Sequence, residues 1–174
     1  GAMPNIVANR LNSQLDLGGA SMAISSEELS GVRALEVAAR ALRHRELDAA
    51  LVGAVDMSCD PVHEAAARGM GIDEAPADGA VILVLKRLSD AISSGDRIFA
   101  LLDTGDEVAG ARKSRDVASR WGHAHAASGL LEIAGAALAC ARGRKAGGEL
   151  WSGERATGLR IEALGGQQAE VGLR

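Results

Sequence analysis

Apolar positions recur along this chain with two different periods, and the switch between them lays out the elements. From Leu29 onward, Leu29, Val32, Leu35, Ala38, Ala39 and Leu42 keep the three-to-four-residue spacing of one helix face. Arg33, Glu36, Arg40 and Arg43 take the opposite face, with Glu36 and Arg40 one turn apart. Ser25 followed three residues later by Glu28 predicts a capping box at the helix start. Residues 47–58 (LDAALVGAVDMS) and 79–87 (GAVILVLKR) are instead unbroken apolar runs, the pattern of central strands covered on both faces. ASMAI at 20–24, RIFALLDTG at 97–105 and the stretches around LRIEAL and AEVGL near the end also read as strands. PVHEAAARG is expected as a short helix, LSDAISSGD as a short helix or turn, and residues 4–19 as irregular chain with one helical turn.

Residues 123–141, HAHAASGLLEIAGAALACA, form the most demanding element. The segment is apolar nearly all round, Glu132 and the two histidines excepted, and a helix of that kind is buried on every side. One sheet covers only one of its sides, so a second sheet or a partner chain has to cover the other. Alternating strands and helices with buried strands predict an α/β domain with a mixed sheet and a buried apolar helix. Residues 103–120 and 142–158, rich in charge and glycine, read as linkers within one domain spanning 4–174. Gly1, Ala2 and Met3 read as the scar of tag removal.

Composition narrows the function classes. Hydrophobic residues make up 47% of the chain but aromatics only 2%, so the core is built from small aliphatic side chains that let helix and sheet approach closely. A net charge of −4 and so few aromatics argue against a nucleic-acid partner, which needs a basic face and stacking platforms. No run reaches the roughly 18 uncharged apolar residues of a membrane span. Cys59 and Cys140 lie far apart and match no CxxC pattern, which points to a reducing, cytoplasmic setting. GxSxG elbows, GxGxxG turns and P-loops are lacking, so hydrolase, dehydrogenase and NTPase readings have no support.

PNIVANRLNSQLDLGGASMAI, followed by a helix and LDAALVGAVDMS, resembles the region around the nucleophile of β-ketoacyl synthases, the condensing enzymes of fatty-acid and polyketide synthesis. GAVILVLKRLSDAISSGDRIFALL resembles the strand–helix–strand segment that follows in them, GHAHAASGLLEIAGAALA their histidine-bearing helix, and LGGQQAEVGL a degraded form of their terminal glycine-rich stretch. EELSGVRALEVAARAL, with ELDAALVGAVDMSCDPVHEAA, looks most like the non-catalytic, chain-length-factor-like ketosynthase domains of polyunsaturated fatty-acid synthases. The resemblance implies a compact, truncated thiolase-like domain, with shortened segments before PNIVAN and between Leu102 and Trp121.

Departures from the family pattern carry the functional expectation. The family's nucleophilic cysteine corresponds to Glu28, and no HGTGT-type motif supplies its first histidine. His123 corresponds to the second histidine and is retained, whereas Gln168 and Glu170 replace the terminal Asn and His, and Glu162 and Ala163 replace the Phe-Gly pair. A carboxylate at a helix start is favoured by the helix dipole by about 0.3–1 kcal/mol. It is a poor acyl acceptor, because the mixed anhydride lies uphill of a thioester, and condensation needs a thiolate. Glu28 is therefore expected to cap, and His123 to be a satisfied core histidine. The rival reading is a malonyl-thioester decarboxylase or thioesterase using His123 with Glu28, although a fixed charge at Glu28 would repel the malonyl carboxylate. That rival requires both side chains to face one cavity.

No cofactor and no metal site are expected. His123 and His125 point to nearly opposite sides if both lie on a helix, and Cys59 and His63 add ligands only if the fold brings them close. Cys59 and Cys140 read as inert small hydrophobes. The resemblance implies a homodimer in which Ala20, Ser21, Met22, Ala23 and Ile24 pair antiparallel with their copies, or pairing with an active ketosynthase. The basic clusters ARKSR (111–115) and RGRK (142–145) could meet an acyl carrier protein or the phosphopantetheine arm it carries. The expected role is that of a catalytically silent structural, chain-length-determining or docking partner in a multidomain fatty-acid or polyketide synthase.

Overall fold

The computed structural model describes residues 3–71, 74–103, 112–113, 121–141, 157–162 and 168–173. In chain order the helices are α1 (Ile6–Gln14), α2 (Ser30–Arg43) behind a 3-10 turn at Glu27–Leu29, α3 (Pro61–Gly69), α4 (Leu88–Ser94) and α5 (His125–Ala141). The strands are β1 (Ala49–Met57), β2 (Asp78–Lys86), β3 (Leu102–Asp103), β4 (Arg112–Lys113), β5 (Thr157–Glu162) and β6 (Gln168–Leu173).

β1 and β2 pair antiparallel with Val52 opposite Leu83 and Ala54 opposite Val81. Alternation then sends Val52, Ala54, Val81, Leu83 and Leu85 to one face, against Leu29, Val32 and Leu35 of the α2 region and Leu130, Ile133 and Ala136 of α5. The helix face read from the spacing of apolar residues is the face that is buried: Leu29, Val32, Leu35, Ala39 and Leu42 all belong to the core. Small residues make the close approach possible. A Cβ on Gly31 would sit 3.0 Å from both Ala54 Cβ and Leu130 Cβ, and one on Gly79 would sit 2.8 Å from Ala124 Cβ. The low aromatic content thus has a structural use.

β3, β6, β5 and β4 form a second, four-stranded sheet that is mixed, antiparallel at β5–β6 and parallel at β4–β5. α5 lies mainly against β1, β2 and α2 with a smaller contact to β6 of the second sheet, and Leu138 on it stays exposed, so it is not buried on every side as expected. Glu132, expected among the polar exceptions on α5, is itself buried.

Several expectations are corrected. Residues 20–26 are irregular and have no ladder partner among the described residues, so the strand expected at 20–24 is not formed. A strand exists through the strand beside it, and none is offered here. α1 is a nine-residue helix, longer than the single turn expected. Only Leu102–Asp103 of the strand expected over 97–105 is strand among the described residues. Ser25 and Glu28 form no capping box: the 3-10 turn has Ser26 at its start without a side-chain cap. The Ser30 hydroxyl takes over, accepting from the Ser26 N–H at 2.9 Å and donating to the Glu27 carbonyl at 2.5 Å. Arg33, not Arg40, pairs with Glu36, at 2.7 Å.

The largest correction concerns β1 and β2, which among the described residues are covered on one face only. Leu51, Val55, Met57, Ile82 and Val84 on the other face are exposed, Val84 by 71%. Of the expected linkers and basic clusters, 104–111, 114–120 and 142–156 lie outside the described residues, as does the side chain of Cys140.

Candidate functional site

The corner that precedes α2 and the turn that precedes α5 meet at the end of β1. Glu28 lies in the 3-10 turn, held from behind by the fully buried Leu29. Glu27 just before it has φ 51°, left-handed backbone that a side-chain-bearing residue adopts only when its surroundings hold it there. His123 is fixed by its own backbone: its N–H donates to the Ala75 carbonyl at 2.8 Å, and its carbonyl accepts from the Ala77 N–H at 3.0 Å. These two bonds form a parallel bridge with Pro76 and clamp the residue against the strand that becomes β2.

The two side chains whose meeting was the open question do come together. His123 Nε2 lies 3.9 Å from Glu28 Oε1, with side-chain exposures of 16% and 12%. The two residues are almost a hundred positions apart in sequence, so no local pattern announces this contact. An imidazole near a carboxylate can orient a bound carbonyl or hydrogen-bond a thioester. Neither group provides the thiolate that acyl exchange requires.

A second cluster adjoins the first. His125, with φ 34°, opens α5, and its Nδ1 lies 3.5 Å from Asp56 Oδ2 near the end of β1. Asp56 is anchored on both oxygens, accepting from the Ser58 hydroxyl at 2.8 Å and from the Ala126 N–H at 3.3 Å. The carboxylate thereby caps the start of α5, where unsatisfied N–H groups favour negative charge. His63 of α3 meets His125 edge to face with ring centroids 5.6 Å apart, and His123 meets it at 6.3 Å.

Sequence reasoning named Glu28, His123, His125 and His63 but treated Asp56 only as part of a strand. A carboxylate closing an apolar strand is the one signal that could have found it. The expectation that His123 and His125 point apart is also corrected. His123 lies outside α5, which starts at His125, so the helical rule does not apply to the pair. Cys59 is exposed rather than a buried hydrophobe. Its Sγ turns to the Pro76 carbonyl at 3.7 Å, and local desolvation followed by the neighbouring Asp78 carboxylate raises its pKa, which keeps it a thiol. Among the described residues no three His, Cys, Asp or Glu side chains converge as a ready-made metal site. No helix among them is long and apolar enough to cross a membrane. Residues 162, 163, 168 and 170 lie at or beyond the limit of described side chains.

Comparison with solved structures places the fold. Over 99% of its length the chain superposes with a TM-score of 0.80 on an oxazolomycin ketosynthase domain from Streptomyces albus, at 18% identity, covering 50% of that chain. The ketosynthase from module 6 of the bacillaene synthase of Bacillus subtilis gives the same TM-score of 0.80 at 18% identity, again covering 50% of that chain. The architecture is thus thiolase-like and spans about half of these solved ketosynthases.

Among curated proteins, a highly reducing polyketide synthase of Leptosphaeria maculans is 33% identical in an alignment 121 residues long that covers 59% of this chain and 5% of that protein. The 5-methyl-1-naphthoate synthase of Streptomyces sahachiroi is 32% identical in an alignment 111 residues long that covers 55% of this chain and 6% of that protein. The chain therefore spans only a small fraction of the relatives it matches. Residues 1–91 match the family of the β-ketoacyl synthase N-terminal domain, and on that match, joined to the superposition, this chain belongs to the β-ketoacyl synthase family.

Proposed function

We propose that this ketosynthase-family domain is silent for condensation and acts as a structural, chain-length-determining or docking partner within a multidomain fatty-acid or polyketide synthase. One observation carries the reading. At the corner where the family resemblance places the nucleophile stands Glu28, within ion-pair distance of His123 at 3.9 Å. Carbon–carbon bond formation in a condensing enzyme begins with acyl transfer to a thiolate, and a carboxylate cannot hold the acyl group at thioester energy. The retained histidine is also engaged by that carboxylate.

In this role the domain pairs with a second copy or with an active ketosynthase, with residues 20–24 as the contact. Among the described residues that segment pairs with no other strand, and Met22 on it is exposed. An acyl carrier protein, through its phosphopantetheine arm, is a further partner in the same proposal. No bound cofactor is needed for it.

The Glu28–His123 contact favours one second reading, hydrolysis or decarboxylation of a malonyl thioester with His123 polarising the carbonyl. A single experiment separates the two. The protein is incubated with malonyl- and acetyl-loaded carrier protein beside Glu28→Gln and His123→Ala, and release of CO₂ and free acid is followed by mass spectrometry. The scaffold reading expects no turnover above the rate without protein. Turnover by the parent that is lost in His123→Ala overturns it in favour of the enzyme.

A further inference from the structure

The outer face of the β1–β2 hairpin is apolar from one end to the other. Residues directly opposite in the ladder share a face, so the register writes it out in rows: Ala49 with Lys86, Leu51 with Val84, Gly53 with Ile82, Val55 with Ala80 and Met57 with Asp78. Charge stands only in the two end rows. There Lys86 is tied to Asp96 at 2.7 Å, and Asp78 accepts from the Cys59 N–H at 2.9 Å. Leu51, Val55, Met57, Ile82 and Val84 are all exposed, and a contiguous apolar patch of that kind marks a contact surface. We infer that this face binds a second copy of the chain, sheet on sheet, about a two-fold axis that runs along the strands.

The rows themselves select the occupant. Such an axis lays β1 of one copy over β2 of the other and keeps the rows in step. Gly53 then faces Ile82 of the second copy, and Ala80 faces its Val55, so the two small central residues meet the two branched ones. Leu51 faces Val84 of the second copy in the next row. Gly53 is a true notch: among the described residues a Cβ there would meet only Ile82 Cγ1 and the Val81 carbonyl oxygen, both at 3.4 Å and both from the same hairpin. Packed sheets lie about 10 Å apart and interdigitate in this way. An unrelated apolar partner has no reason to match these rows, whereas a second copy supplies knob and notch from the same residues. No charge confronts its like, because Lys86 falls over Ala49 and Asp78 over Met57.

This contact is separate from the one proposed at residues 20–24. α2 and α5 occupy the other face of the hairpin, so pairing here leaves the core as it is. Five large side chains make a small interface, for which a dissociation constant in roughly the micromolar range is expected. In dilute solution the face is open, and it is covered as the concentration rises.

The test is sedimentation velocity over a dilution series spanning that range, on the full chain carrying Met22→Lys to close the 20–24 contact. A monomer–dimer equilibrium is expected. Ile82→Lys and Val84→Lys, each added to that chain, should weaken the dimer by about thirtyfold or more, the effect of losing a central contact residue. Gly53→Leu, which fills the notch, should weaken it as well. All three positions point away from the core, and urea unfolding of the dilute variants checks that they fold. A Met22→Lys chain that stays monomeric throughout overturns the inference and leaves the 20–24 contact untouched. A dimer indifferent to Ile82→Lys and Val84→Lys overturns it too. So does strong amide-exchange protection over 80–84 at the face in the dilute monomer beyond that of the β1–β2 ladder, since the chain would then cover the face itself.

Discussion

The two faces of the β1–β2 hairpin have nearly the same composition and opposite fates. Val52, Ala54, Val81, Leu83 and Leu85 point to the core, whereas Leu51, Val55, Met57, Ile82 and Val84 point away from it and are exposed. Both faces are written for burial, which is why each strand reads as a continuous apolar run instead of an alternating one. The difference lies in what the rest of the described chain brings to them. α2 and α5 close over one face, and no described element closes over the other. Hydrophobic patterning records the environment a strand is built for, while the elements actually present decide how much of that environment is filled.

That contrast can be broken or sharpened by substitution. The largest effect is expected on the covered side. Leu130 is fully buried, so Leu130→Ala should cost about 2–5 kcal/mol in urea unfolding. Val84→Ala on the open face should stay within about 0.5 kcal/mol. A loss at Val84 approaching that at Leu130 would mean that the open face is covered in solution.

Glycines give the next step down. Gly79→Ala places a Cβ 2.8 Å from Ala124 Cβ and 3.0 Å from Leu131 Cδ1, and should destabilise by about 1–3 kcal/mol through overpacking. Gly53→Ala meets its nearest neighbours at 3.4 Å and should be tolerated, with thermal unfolding close to that of the parent. Equal losses at the two positions would contradict the one-sided packing.

Where the covered face ends, Ser58 is fully buried and donates to Asp56. Ser58→Ala should cost about 0.5–1.5 kcal/mol, the net worth of one hydrogen bond. It should also loosen the start of α5, visible as faster amide exchange at Ala126, whose N–H depends on the same carboxylate.

The smallest effect lies at the opposite end of the hairpin. Arg87 joins Asp48, Asp90 and the Leu42 and Leu47 carbonyls at the close of β2. The Ser89 hydroxyl, followed by the Arg87 guanidinium, holds the Asp90 carboxyl below its ordinary value of 3.8. Because the folded-state pKa is depressed, the stabilisation is present above that ordinary value and is lost as pH falls through the folded one. Asp90→Asn should therefore flatten the acid limb of the stability curve and leave its slope near neutrality unchanged. An unchanged acid limb would remove Asp90 from the account.

Much of the fold and part of the site were legible along the chain. The buried face of α2 follows from the spacing of Leu29, Val32, Leu35, Ala39 and Leu42, because a helix shows its periodicity within a few turns. The extents of β1, β2 and α5 follow from apolar runs bounded by polar residues, and the need of α5 for a second cover follows from its lack of a polar face. The resemblance around Glu28 and His123 likewise rests on contiguous residues that any reader of the sequence can see.

Contacts between distant segments were decided only by the tertiary structure. Residue type could not show that Ser30 instead of Ser25 supports the corner, since several hydroxyls lie within reach of the same N–H groups. Nor could it show that 20–26 has no ladder partner among the described residues, because a strand's pairing belongs to its neighbour. The meeting of Glu28 with His123, and of His63 and Asp56 with His125, depends on the packing of α5 across β1 and β2. Local sequence sets backbone preference and which face is apolar, through sterics and side-chain period. Which carboxylate stands beside which imidazole is set by how those faces close on one another, and that is a property of the assembled core.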